Sequence, residues 1–217
     1  MRHLILINTK VYPQSIAQQG LKLAQSISQV KSKKYEIALA PSLLTTKEIC
    51  QKTALPIYAQ HGDGELGPYT GSIPLQELKQ IGVKGIILNH SEKILYFSEI
   101  KNTLILAKKL KLETIVCAST LYQIHRLAQL HPDYLAYEPK KLIGGKVSVT
   151  KAKPKLILKA LELLKKRTSH TKLLCGAGVH SREDLGQALL LGAEGVLLSH
   201  AVVKAKNPGE FLRKMLI

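Results

Sequence analysis

The sequence predicts a single (β/α)8 barrel of short, compact form: eight parallel strands closed into a ring, with helices outside. Three observations carry this expectation. Eight apolar runs of strand length recur along the chain. They are rich in Ile, Val and Leu and mostly continuous rather than alternating, as strands covered on both faces are. Between them lie amphipathic stretches with a helical period. Alternating strand and helix units in that number point to the closed parallel barrel. A chain of 217 residues is near the short end for such a fold. Its loops must therefore be tight, and one catalytic domain over residues 1–217 is expected.

The first run is HLILIN, residues 3–8. Residues 15–31 then place Ile16, Leu21, Leu23, Ala24, Ile27 and Val30 on roughly one helical face. Strands are expected at 35–40, 55–60 and 84–89, with the longest irregular stretch, HGDGELGPYTGSIP (61–74), after the third. Further strands are expected at 113–118 and 133–138. Residues 155–166 follow with Leu156, Ile157, Ala160, Leu161 and Leu164 at helical spacing. The last strands are expected at 172–177 and 194–199, separated by a helix over 181–191. That helix opens on SRED, with Ser181 as its cap and Asp184 in the reciprocal position, and Gly192 stops it.

Composition narrows the function. No run approaches the roughly 20 apolar residues of a membrane-spanning helix. The N-terminal MRHLILIN is too short for a secretory signal, so no membrane contact and a cytoplasmic location are expected. Cys50, Cys117 and Cys175 are widely spaced without a Cys-x-x-Cys, and no His-x-x-x-His occurs. A disulfide framework or zinc site is therefore not expected, and neither metal nor cofactor is called for. Basic residues number 32 against 15 acidic ones, for a net charge of +17. That surplus suits an anionic partner: nucleic acid, a membrane surface or a phosphorylated small molecule. Base readout and stacking favour Arg and aromatic side chains. Here Arg stands only at 2, 126, 167, 182 and 213, with two Phe and no Trp. Specific nucleic-acid recognition is thus not expected.

In such a barrel the working residues stand at the carboxyl ends of the strands. Asn8 and Lys10 follow the first, two residues apart and so on one side of an extended chain. Gln60 and His61 follow the third, with a structural role expected for His61. Asn89, His90, Ser91 and Glu92 follow the fourth, Glu138 the sixth, CGAG (175–178) the seventh, and SHA (199–201) the eighth. Glu138 can take a proton, His90 can polarise a carbonyl, and Lys10 can hold developing negative charge. Gly-rich turns let backbone N–H groups approach a phosphate. Together they suit proton abstraction beside a carbonyl of a small phosphorylated substrate. Two alternatives remain: a barrel isomerase or lyase of another phosphorylated sugar, and a basic nucleic-acid-binding protein retaining a barrel.

These motifs resemble the triosephosphate isomerases of the short, archaeal type. INTK (7–10), LNHSEK (88–93) and YEPKKLIG (137–144) resemble the family's substrate-lysine, histidine and catalytic-lid segments. VTKAKP, LLCGAGVHSREDL and GVLLSHAVVKAKNP resemble the late-barrel sequence of the archaeal group. The resemblance implies a TIM barrel that interconverts D-glyceraldehyde 3-phosphate and dihydroxyacetone phosphate in glycolysis and gluconeogenesis, without a cofactor. It implies Glu138 as the base, His90 as the electrophile and Lys10 as the stabilising cation, with Glu92 paired to that lysine. Asn8 would support the substrate. Ile143, Gly144, Gly178, Ser199 and His200 would surround its phosphate, largely through backbone N–H groups. Pro139 would stiffen one end of a closing lid whose far hinge is Gly144-Gly145. A homo-oligomer is implied, a tetramer or else a dimer. Three places depart from the family pattern. Thr9 replaces an aromatic, Gly145-Lys146 replaces Thr-Gly, and Ser199-His200-Ala201 replaces Ala-Ser-Gly.

Overall fold

The computed structural model describes residues 2–64, 66–139, 153–167 and 170–216. Its strands are β1 (His3–Asn8), β2 (Tyr35–Ala40), β3 (Tyr58–Ala59), β4 (Gly85–Leu88), β5 (Glu113–Ala118), β6 (Tyr134–Tyr137), β7 (Lys172–Cys175) and β8 (Gly195–Leu198). They form one eight-stranded sheet in the order β2-β1-β8-β7-β6-β5-β4-β3. The named pairs are parallel. The ring closes where Leu39 of β2 bridges Ile57 and its N–H donates to the Pro56 carbonyl at 3.0 Å. This is the compact (β/α)8 barrel that the eight apolar runs predict.

The described helices are α1 (Ala17–Ser28), α2 (Leu43–Lys52), α3 (Leu75–Gln80), α4 (Phe97–Lys109), α5 (Leu121–Ala128), α6 (Pro154–Arg167), α7 (Arg182–Leu190), α8 (His200–Val203) and α9 (Pro208–Leu216). Most strand ends fall within one or two residues of the sequence expectation, and two larger differences have physical reasons. β3 is shorter than the run 55–60, because Pro56 has no N–H to give to a ladder. The first helix starts after a 3-10 turn at Pro13–Ser15, and Ile16 is extended (φ −105°, ψ 152°) and 44% exposed rather than on the packed face. α7 begins as expected on Ser181, whose hydroxyl accepts the Asp184 N–H at 3.2 Å. The Asp184 carboxylate takes the His180 N–H at 3.0 Å. Gly192, at φ +101°, ends the turn beyond it in a conformation that costs a glycine little.

Alternation along the strands divides the core into two layers. Leu4, Leu6, Tyr58, Ile87, Ile115 and Leu174 fill the barrel interior. Ile5, Ile7, Ile37, Leu39, Ile86 and Val116 face outward onto Leu21, Ile27, Ile49, Leu104, Ile124 and Ile157 of the helices. Both strand faces are thus buried, which explains the continuous apolar runs.

The amino-terminal end of the barrel is closed by polar groups. The buried Tyr58 hydroxyl donates to Glu113 at 2.5 Å. Lys84 bridges Glu36 at 2.9 Å and Glu113 at 3.1 Å. Burial pushes the Tyr58 phenol up, and the Glu113 carboxylate that accepts its proton pushes it further. Burial also raises Tyr134 and carries the Cys175 thiol to about 12. Desolvation works against the Lys84 ammonium, yet its bonds to Glu36 and Glu113 outweigh that and raise it.

All four shifts act in the same direction. A group whose pKa is raised by folding keeps its full contribution below its unfolded value, about 8.5 for a thiol and about 10 for a phenol. The contribution is lost as pH climbs toward the folded value. Urea unfolding should therefore give a steady midpoint from pH 7 to 8 and a falling one above about pH 9. A midpoint that is level to pH 11 would contradict these raised values.

Candidate active site

The inward parity of the strands continues past their carboxyl ends. Leu4 and Leu6 lead to Asn8, Tyr58 to Gln60, Ile87 to Asn89, Ala136 to Glu138, Leu174 to Gly176, and Leu197 to Ser199. Polar residues thus replace apolar ones where the interior meets the mouth. One cleft there is lined by Asn8, Lys10, Tyr12, His90, Glu138, Gly178, His180, Ser199 and His200, among others. The fold therefore gathers seven residues singled out from sequence, namely Asn8, Lys10, His90, Glu138, Gly178, Ser199 and His200. Ile143, Gly144 and the Gly145-Lys146 pair lie outside the described residues, as does most of the lid.

Glu138 follows β6 directly, and its N–H donates to the Ala118 carbonyl of β5 at 2.8 Å. The residue is 4% exposed. The slot it occupies has a wall on each neighbouring strand. On β5 stands the Cys117 thiol; burial first, then the charge of Glu138, holds it well above its usual range. On the β7 side stands Gly176. A Cβ there would lie 2.3 Å from Glu138 Cγ and 2.9 Å from its carboxyl carbon. Only glycine leaves that space. Glu138 Oε2, shielded from solvent and without a hydrogen-bond partner among the described residues, lies 3.6 Å from His90 Nε2.

His90 is placed by a strained turn. Asn89 takes φ +56°, a left-handed conformation that Asn tolerates better than most residues. Its side chain braces the turn, donating to the Cys117 carbonyl at 2.9 Å and accepting the Leu95 N–H at 3.1 Å. The Glu92 N–H then donates to His90 Nδ1 at 3.2 Å. Nδ1 is thereby an acceptor, so the proton of the neutral ring belongs on Nε2, the nitrogen facing Glu138.

Lys10 sits at φ +49°. Two contacts hold that backbone: Asn8 Oδ1 accepts the Lys10 N–H at 3.0 Å, and Gln60 donates to the Lys10 carbonyl at 2.9 Å. Gln60 also donates to the Ala40 carbonyl at 3.0 Å, which ties the ends of β1, β2 and β3 together. The Lys10 ammonium contacts Glu92 at 2.5 Å, as the sequence resemblance implies. Strain at a residue like this costs about 1–3 kcal/mol and persists only where neighbours over-determine it. Across the cleft, Ala177 and Gly178 take φ +68° and +72° in the turn after β7.

Sequence reasoning gave no role to Gln60, Tyr12 or His180, took Gly176 only as part of a phosphate-binding Gly-rich turn, and read Cys117 only as a buried strand residue. Inward parity after a strand end was the available signal for Gln60 and Gly176. His61 lies apart from the cleft lining. Its Nε2 is 2.8 Å from Asp63 Oδ1, and Asp63 Oδ2 accepts the Ile73 N–H at 2.7 Å, so the pair braces loop 61–74.

The His90 assignment is open to a direct check. Nitrogen-15 NMR at neutral pH should show Nδ1 as the unprotonated ring nitrogen and Nε2 as the protonated one. The opposite tautomer would contradict the hydrogen bond from Glu92.

The triosephosphate isomerase family pattern matches residues 3–215. The triosephosphate isomerase of Methanocaldococcus jannaschii is 40% identical over 215 residues, covering 98% of each chain. That of Methanosarcina barkeri is 37% identical, covering 98% of this chain and 96% of its own. That of Saccharolobus solfataricus is 39% identical over 94% of this chain and 91% of its own. These similarities run through every strand end that supplies the cleft, and by them this chain belongs to the triosephosphate isomerase family.

Proposed function

We propose that this chain interconverts D-glyceraldehyde 3-phosphate and dihydroxyacetone phosphate, with Glu138, His90 and Lys10 as its catalytic residues. One observation carries the assignment of roles: a buried carboxylate and a histidine nitrogen 3.6 Å apart, in a cleft that Lys10 also lines. Glu138 takes the proton from the carbon beside the carbonyl and returns it to the neighbouring carbon. His90, neutral and protonated on Nε2, donates toward the substrate oxygens. Lys10 balances the charge of the enediolate and the phosphate. The pairing of a carboxylate base with a neutral histidine is the described chemistry of this family. What this chain adds is the device that supports each group: the Cys117–Gly176 slot, the Glu92 N–H, and the Asn8 and Gln60 side chains.

At the other end of the cleft, Gly178, Ser199 and His200 offer backbone N–H groups to the phosphate, and the family resemblance gives Ile143 and Gly144 the same role. Asn8 lines the substrate side, and Glu92 holds Lys10 until substrate arrives. The family match supports neither nucleic-acid binding nor a different phosphorylated sugar. The three cysteines are free, which suits a reducing compartment, and we place the enzyme in the cytoplasm.

We also propose a homo-oligomer, a tetramer or else a dimer. Val11, Leu44, Leu66, Tyr69, Ile94 and Tyr96 are exposed, Leu44 at 95%. They follow β1, β2, β3 and β4 in turn, so they gather on one half of the barrel rim. An apolar rim of this kind is the mark of a contact surface.

Two measurements follow. In a coupled assay with D-glyceraldehyde 3-phosphate, Glu138→Asp and Gly176→Ala should each lower kcat, by about 10²-fold, since either displaces the carboxylate on the scale of 1 Å. Full activity in Gly176→Ala would contradict the slot, and full activity in Glu138→Asp would contradict the base. In sedimentation velocity the native chain should run above monomer size, and Leu44→Glu should shift it toward monomer. A native monomer at micromolar concentration would overturn the oligomer.

A further inference from the structure

The phosphate end of the cleft carries side-chain donors that the backbone reading does not use. Ser199 Oγ is shielded from solvent and has no hydrogen-bond partner among the described residues. The next residue, His200, is exposed and lines the same cleft. Its ring meets Tyr12 edge-on, with centroids 6.4 Å apart and planes at 71°. The Lys204 ammonium lies 5.0 Å from the Tyr12 ring centre. Lys204 N–H also donates to the His200 carbonyl at 3.0 Å. Tyr12 thus acts as an aromatic prop between the imidazole and an ammonium, on the wall where Gly178 and Ser199 stand. The Ser-His-Ala turn puts a hydroxyl and an imidazole where the archaeal pattern has a methyl and a hydroxyl.

We propose that His200 is a specificity-determining residue: its imidazole, with the Ser199 hydroxyl, hydrogen-bonds the phosphate of the substrate. This rests on the isomerase reading and deepens it. A backbone N–H donates at any pH, whereas an imidazolium adds a positive charge and a second donor that the neutral ring lacks. Capture of the phosphate is therefore proton-linked. Among the described residues, the charged and titratable groups around this wall are Tyr12 and Lys204 beside His200, and Lys10, His90, His180 and Glu138 in the cleft. Glu92 is engaged with Lys10, and Asp184 accepts the His180 N–H. The proton link is read as a ratio between native and variant protein at each pH, so that the titration of phosphate itself cancels.

The experiment compares the native chain with His200→Ala and His200→Gln at pH 6 and pH 8.5. It measures KM and kcat for D-glyceraldehyde 3-phosphate and inhibition by inorganic phosphate. At pH 6, His200→Ala should raise KM and the phosphate inhibition constant together, by roughly three- to tenfold, the scale of one charge-assisted hydrogen bond near solvent. At pH 8.5 the ratio should shrink to less than about twofold, as a neutral ring donates less. His200→Gln should lie between the two, and kcat should change less than KM. Unchanged constants at both pH values, or an equal rise at pH 6 and pH 8.5, would overturn the proposal. A second measurement needs no variant: the His200 imidazole resonances of the native protein should move on titration with inorganic phosphate, and resonances that stay in place would overturn it. Moving resonances without triose-phosphate turnover would defeat the isomerase reading alone. Intact turnover with static resonances would defeat this inference alone.

Discussion

The site depends on one constraint, the slot that aims Glu138 into the barrel mouth. A carboxylate buried to this extent has lost most of its water, and that loss is tolerated only if other groups are ready to meet its charge. Here Cys117 stands beside it on one neighbouring strand, His90 faces it across the cleft, and Gly176 leaves the room on the other strand. The slot comes from three adjacent parallel strands, β5, β6 and β7, in register. The direct parallel pairing of β4, β5, β6 and β7 is therefore what brings the base, its neighbours and the opposing histidine to one place.

The two ends of the barrel divide the tasks. At the floor, Tyr58, Glu113, Lys84 and Glu36 satisfy one another, and the geometry has no cleft use. At the mouth, Lys10, Asn89 and Ala177 take left-handed backbone conformations. The strain at Lys10 is held locally by Asn8 and from the end of β3 by Gln60, and that at Asn89 by its own side chain, which reaches the Cys117 carbonyl of β5. Strained backbone near the chemistry, held by a well-packed scaffold below, is the expected division in a fold of this kind.

The fold was legible because both faces of each strand are buried, which writes eight continuous apolar runs into the chain. The short β3 was less so, because a run such as LPIYAQ reads as strand while Pro56 removes a ladder donor. Ile16 misled in the same way: its apolarity fits the helical face, but the preceding 3-10 turn leaves it extended and exposed. At the site, Asn8, Lys10, His90 and Glu138 could be found because chemistry-bearing residues at strand ends stand out. Gly176, Gln60 and Cys117 could not be given these roles, because the roles are relations. A missing Cβ matters only when a carboxylate lies 2.3 Å from where it would be, and that distance is set by the register of two strands.

The central claim is that Glu138 carries a proton between two carbons through an enediolate. Isomerisation of dihydroxyacetone phosphate in D2O, followed by proton NMR, tests it most directly. A carboxylate holding the abstracted proton exchanges it with solvent during the lifetime of the intermediate. The account predicts glyceraldehyde 3-phosphate with deuterium at the carbon beside its carbonyl, in a fraction set by the competition between exchange and return. Product free of solvent deuterium throughout would point to direct hydride migration between the carbons and would contradict the role given to Glu138.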